Sequence, residues 1–198
     1  MEILLWTLAS FLFGALPFSV WIGRLNGVDI RQFGDHNPGA TNVLRATGSK
    51  IWFVFAMICD IGKGVVPAAL AYHYFGRTDL SLVPIGAAAM LGHAFSPFLN
   101  FNGGKAIATS GGVWMGILTF EAGLILCSVL VLLFALLTSS DWVAVFTAGI
   151  WLIYLLIVHP DPALMALAVF TFSLILFKHR TGLRQWPRLR IGRKDKSP

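Results

Sequence analysis

Two polar segments set between long apolar runs hold the side chains best suited to chemistry. Residues 39–45 read GATNVLR and residues 92–105 read GHAFSPFLNFNGGK. Together they collect Thr41, Asn42, Arg45, His93, Ser96, Asn100, Asn102 and Lys105. These are hydrogen-bond donors and cations, placed beside glycines that leave backbone N–H groups open. Binding of an anionic head group beside a membrane needs such a set.

In the first segment Pro38 and Gly39 break any preceding helix, and Thr41 or Asn42 can cap the next one. A helix start exposes N–H donors at the positive end of its dipole, and Arg45 adds a fork suited to two phosphate oxygens. The structural alternative is a capped loop with Arg45 as a topology charge. In the second segment Gly103 and Gly104 let the backbone approach a ligand, and Lys105 supplies a cation at the mouth of the next helix. His93 is a candidate base or phosphate donor. A tight re-entrant turn with a structural histidine is the alternative, since no GxxxxGK[ST] phosphate loop is present. Asp60 and Lys63 lie three apart inside an apolar run, where each charge costs roughly 2.5–3.5 kcal/mol. They are spaced to pair on one helix face, lining the bundle interior, with direct substrate contact as the alternative. Lys178, His179 and Arg180 end the last apolar run, where orientation alone accounts for positive charge and an anion could also bind.

The elements that position these residues follow from composition. The chain has 198 residues, of which 57% are hydrophobic and 12% charged, with a mean hydropathy of +0.75. A soluble domain of this length cannot hide so much apolar surface. The expectation is an all-α, polytopic membrane bundle forming one domain over residues 1–198. Apolar runs near the ~20 residues that cross hydrocarbon fall at 3–23, 51–75, 80–99, 106–120, 121–138, 142–158 and 162–177. That makes about seven transmembrane helices, with six as the alternative. The fourth and fifth runs form either a tight hairpin or one bent element around Glu121. The first run lacks a basic leader and is too long for a signal segment, so it reads as a retained helix. Cys59 and Cys127 lie in apolar runs and read as small buried hydrophobes.

Placing the 24–50 loop in the cytoplasm puts thirteen of the 15 Lys and Arg on that side, Arg193, Lys194 and Lys196 of the tail among them. This bias gives N-terminus out and C-terminus in. It also brings GATNVLR, the GGK loop, the turn at residues 138–141 and residues 178–184 to one face, the pattern of a site between helices. The net charge of +6 reflects orientation and anionic lipid, not nucleic acid, because the cations sit at the ends of apolar runs. No GxSxG, HExxH or HxxxxD motif occurs. An enzyme built from these parts would work by electrostatic positioning of an already activated substrate, with no cofactor and no metal.

The segments resemble those of the bacterial acyl-phosphate:glycerol-3-phosphate acyltransferases, the PlsY family, along nearly the whole chain. Members carry GSGNxGATNVLRxxG, DxxKG, GHxFSxFLxFxGGKGxAT and KHRxNI. Here these read GDHNPGATNVLRATG, DIGKG, GHAFSPFLNFNGGKAIAT and KHRTGL. The resemblance implies a multi-pass enzyme of the bacterial inner membrane whose site faces the cytoplasm. It would move a fatty acyl group from acyl phosphate to the sn-1 hydroxyl of glycerol 3-phosphate, giving lysophosphatidic acid, with membrane lipid as surroundings. By matching position it assigns Arg45, Lys105, His93 and His179 to catalysis. Asn37, Thr41, Asn42, Ser96, Gly103, Gly104 and Arg180 would bind substrate. The chain departs from the pattern at Asp35 (Ser in the family), His36 (Gly), Ala106 (Gly) and Gly182 (Asn). The family's serine turn is matched only by Thr138, Ser139, Ser140 and Asp141. Two alternatives stand beside this reading: a paralogue with another acceptor, motivated by Asp35 and Gly182, and a lipid- or anion-binding or transport protein without turnover.

Overall fold

The structure is a computed structural model and describes residues 1–190. Arg193, Lys194 and Lys196 lie outside the described residues. Among those described, eight α-helices and no named strand occur; the only β pairing is an isolated bridge between Leu137 and Leu189. The helices are α1 (Glu2–Ala15), α2 (Phe18–Leu25), α3 (Ala40–Thr47), α4 (Lys50–Ala69), α5 (Leu82–Ala94), α6 (Ile107–Leu136), α7 (Ser140–Val158) and α8 (Pro162–His179). Among the described residues six segments are long and apolar enough to cross a membrane: Glu2–Leu25, Lys50–Tyr74, Leu82–Leu99, Ile107–Leu136, Ser140–Val158 and Pro162–His179.

The fourth and fifth apolar runs form the single element α6, with 30 residues. Straight, it would be about 45 Å long. It is not straight, because Thr119 has φ 49° and ψ −121°, outside the helical region. Both of its ends return to the same end of the bundle. Lys105, just before α6, pairs with Asp141 Oδ1 at 2.9 Å, and Asp141 opens α7 just after α6 ends. Near the middle of α6, Glu121 accepts from the Tyr154 hydroxyl and lies 2.8 Å from His159 Nε2 at the far end of α7. α6 is therefore a helical hairpin with antiparallel legs, the first of the two options.

Thr119 is β-branched and held at positive φ, a conformation that costs about 1–3 kcal/mol without glycine. Thr119→Gly is expected to raise stability by about 1 kcal/mol, read as a higher unfolding midpoint in detergent. A lower midpoint would mean that the threonine side chain, not backbone strain, dominates at the reversal.

Close helix packing depends on small residues, as in membrane bundles generally. α4 lies so tightly on α6 that a Cβ at Gly64 or Gly112 would strike the facing backbone, and α1 lies as tightly on α5 at Gly14. Trp114 and Trp151 fill the centre edge-to-face at 5.6 Å. The cysteines differ from expectation: Cys59 is half-buried and Cys127 is exposed on the flank of α6. An α-helix has more sides than a run of apolar letters reveals.

The first passage is broken between α1 and α2 by Leu16 and Pro17. Proline has no N–H and cannot continue the ladder. The carbonyls beside it bond other elements: Ala15 accepts from Ser96 Oγ at 2.6 Å and Leu16 from Lys63 Nζ at 2.9 Å.

Candidate functional site

The first polar segment is built around one amide. Gly39, in extended conformation, caps α3 with no side-chain cap. Thr41 and Asn42 therefore lie in the first turn and are not the caps expected of them. Asn42 is buried. Its Nδ2 lies at 2.8 Å from Phe33 O, 2.9 Å from Asn37 O and 3.1 Å from Asp35 Oδ1. Its Oδ1 accepts from Arg45 Nη1 at 2.9 Å. With every polar atom engaged, Asn42 ties the loop together and aims Arg45. Gly34 has φ +57°, and the Arg45 guanidinium occupies the space a Cβ there would need. The Arg45 side chain is 50% exposed. Thr41 is exposed and Asn37 half-buried at the same rim.

The second segment is held from beneath. His93 is buried, with Nδ1 at 2.9 Å from Lys63 Nζ. That ammonium is also 2.8 Å from Asp60 Oδ1, while Asp60 Oδ2 accepts from Ser19 Oγ at 2.8 Å. Since a lysine ammonium can only donate, His93 Nδ1 accepts. The other side of the imidazole fills the space a Cβ on Gly104 would take, and Gly104 N donates to His93 O at 3.0 Å. The two glycines thus lie flat on residues 93–94 instead of opening backbone to a ligand. Ser96 is buried and spent on Ala15. Lys178 Nζ donates to Ala94 O at 2.9 Å and Gly103 O at 3.2 Å, stapling the loop to α8. Ser96, Gly103 and Gly104 therefore support the loop, and so does His93 through Nδ1, while its Nε2 has no hydrogen-bond partner among the described residues. Interior packing claims them, and sequence spacing does not show it.

Above this support the charged groups converge. Lys105 Nζ is 2.9 Å from Asp35 Oδ2 and 2.9 Å from Asp141 Oδ1. Asp35 Oδ1 is 3.5 Å from Arg45 Nη1. Arg45 and Lys105, sixty residues apart in sequence, thus meet on one carboxylate. His179 is buried, with Nδ1 2.6 Å from Asp141 Oδ1. The Asp141 carboxylate holds a proton on Nδ1, and Nε2 has no partner among the described residues. Burial works against charge on both Asp35 and Lys105, and their hydrogen bonds outweigh it. Asp35 falls below the usual carboxylate range, because the Lys105 ammonium stabilises its charge. Lys105 rises above the usual lysine range, because Asp141 and Asp35 stabilise its charge. Arg180 departs from expectation: it donates to Phe177 O at 2.6 Å and stacks on that ring at 4.1 Å, on the exposed flank. One residue per 100° around a helix end carries it away from His179.

Sequence reasoning missed Asp35 and Asp141 as partners of the cations, and Lys178 as the staple. The sign for Asp141 was weak, an acidic residue opening a helix after two serines. A cavity of about 460 Å³ lined by Tyr72, His159, Asp161 and Leu164 lies at the opposite end of the bundle. It has no cluster of cations and is a poor place for an anion. Among the described residues no three His, Cys, Asp or Glu side chains are grouped to hold a metal.

Residues 4–187 match the family model described as glycerol-3-phosphate acyltransferase. A glycerol-3-phosphate acyltransferase of Fusobacterium nucleatum is 36% identical, with 94% of each chain covered. Glycerol-3-phosphate acyltransferase 1 of Deinococcus radiodurans is 38% identical, with 92% of this chain and 90% of the relative covered. Among solved structures, the glycerol 3-phosphate form of PlsY, an integral membrane glycerol 3-phosphate acyltransferase, superposes with a TM-score of 0.87. It is 30% identical, with coverage of 93% of this chain and 91% of that one. The lysophosphatidic acid form gives 0.84 at 28% identity over the same shares.

Proposed function

Because the chain belongs to the glycerol-3-phosphate acyltransferase family, we propose that it transfers a fatty acyl group from acyl phosphate to the sn-1 hydroxyl of glycerol 3-phosphate, forming lysophosphatidic acid for phospholipid synthesis. The observation that carries this reading is the meeting of Arg45 and Lys105 at one end of the bundle. Two cations at one point suit a reaction in which both substrates are phosphates.

Acyl phosphate fits as donor because it is a mixed anhydride and already activated. The hydroxyl oxygen attacks the acyl carbon, the bond from that carbon to the phosphate oxygen breaks, and inorganic phosphate leaves. The hydroxyl proton is taken by a phosphate oxygen. Arg45 and Lys105 offset the charge gathering on the carbonyl oxygen and the departing phosphate. Asp141 holds His179, and through Lys105 it holds the ammonium in place. His93 acts as a positioning residue under Gly104. Asn37 and Thr41, at the rim, contribute donors to the head group.

Seven passages, with N-terminus out and the site on the cytoplasmic face of the bacterial inner membrane, fit the cation bias and the paired ends of α6. The chain acts as one membrane-embedded unit, with lipid around it and the acyl chain lying between helices or in lipid.

Purified protein given acyl phosphate and labelled glycerol 3-phosphate is expected to release lysophosphatidic acid and inorganic phosphate in equal amounts. Arg45→Ala should lower that rate by about 10²-fold, the order seen when one charge-stabilising donor is lost. No product from the unaltered protein, or full turnover in Arg45→Ala, would refute the reading.

A further inference from the structure

Asp35 lies where the oxygens of a bound phosphate would be expected. Its two carboxylate oxygens meet the two site cations separately, Oδ2 with Lys105 at 2.9 Å and Oδ1 with Arg45 at 3.5 Å. Asn42 Nδ2 adds a bond to Oδ1 at 3.1 Å. Lys105 has a second carboxylate partner in Asp141, but the two differ in how they are held. Asp141 is 19% exposed, begins a long helix and is gripped by His179. Asp35 is 43% exposed, on the loop before α3, and among the described residues its bonds run only to groups that also suit a phosphate. Of the two, Asp35 is the one free to leave. A carboxylate brings one negative charge and two oxygens; a phosphomonoester brings nearly two charges and three oxygens. The second can therefore displace the first, with the ion pair as its cost.

We propose that Asp35 is an internal stand-in for the substrate phosphate: in the free protein it occupies the shared Arg45–Lys105 position, and an entering phosphate group must displace it. The substrate's identity rests on the acyltransferase reading; the competition between carboxylate and phosphate does not. Asp35 thereby weakens the hold on phosphate-bearing ligands and returns to the cations as product leaves. It also keeps Arg45 and Lys105 apart in charge terms while the site is empty, since two cations without an anion would repel.

The test is binding without turnover. Affinity for inorganic phosphate and for glycerol 3-phosphate is measured by calorimetry in detergent, with no acyl donor, for the unaltered protein, Asp35→Asn and Asp35→Ser. Half-exposed ion pairs are weak, so removal of the competitor should tighten both ligands by about tenfold, or 1.4 kcal/mol. Asp35→Ser covers the case in which Asp35→Asn does not fold. Asp35→Glu keeps the charge and should stay near the unaltered affinity. Equal or weaker phosphate binding in Asp35→Asn and Asp35→Ser would overturn the proposal, as would binding of neither ligand by any variant. Tighter phosphate binding with no lysophosphatidic acid formed in a separate assay would leave the stand-in intact and refute the acyltransferase reading. Product formation with unchanged phosphate affinity would do the reverse.

Discussion

Lys105→Ala is expected to lower lysophosphatidic acid formation by about 10²–10³-fold, the range for loss of one preorganised charge-stabilising group. Among the described residues, Lys105 alone touches both carboxylates of the site, at 2.9 Å each. Its removal takes away a cation for the leaving phosphate and exposes that phosphate to Asp35 and Asp141 with no ammonium between. Both effects act in the same direction. Burial alone would lower the lysine's pKa, but Asp141 and Asp35 raise it above the ordinary range. A raised value keeps the ammonium charged well into alkaline solution, so any fall in rate near neutral pH comes from another group. Initial rates by mass spectrometry, with size-exclusion to show a folded protein, make the measurement. A rate near that of the unaltered protein would remove Lys105 from the chemistry.

The second large effect is on stability. Lys63 and Asp60 are each 3% exposed in side chain and lie 2.8 Å apart within α4. Lys63→Met leaves the Asp60 carboxylate buried without its cation, and loss of one member of such a pair costs about 3–5 kcal/mol. The same change removes the donor to His93 Nδ1 and to Leu16 O, so the floor under the GGK loop loosens as well. The unfolding midpoint in detergent should fall sharply. Replacing both members, Lys63→Met with Asp60→Leu, should recover much of the loss, because an apolar pair strands no charge. If the double change is no better than the single one, an orphaned charge is not the cause.

Much of this architecture was legible from the chain. The apolar runs at 51–75, 142–158 and 162–177 lie within a few residues of Lys50–Tyr74, Ser140–Val158 and Pro162–His179. Hydrocarbon thickness sets their length, so composition alone finds them. The i, i+3 spacing of Asp60 and Lys63 foretold an interior pair, since spacing along one helix fixes a face. The meeting of Arg45 with Lys105 was legible as a shared end of the bundle. What spacing does not give is how one helix is turned about its axis relative to another. For that reason spacing does not show that Lys63, thirty residues away, takes Nδ1 of His93. Arg180 read as a site residue because it follows His179, although the helix turn carries it about 100° round and onto the Phe177 ring. Asp35 and Asp141 stood in polar loops where nothing local says which cation they will meet. Gly182 is explained only by its neighbour: a side chain there would collide with Asp141, so an acid at 141 and a glycine at 182 suit one another.

The interruption at Leu16 and Pro17 has a consequence for how the molecule could be made sturdier. Ordinary engineering would straighten that passage with a good helix former. Doing so would draw two carbonyls back into the regular ladder, and the hydroxyl of Ser96 and the ammonium of Lys63 would lose their moorings. A more perfect first helix would thus come with a less anchored catalytic floor, and gains in ruggedness at this joint should be sought elsewhere.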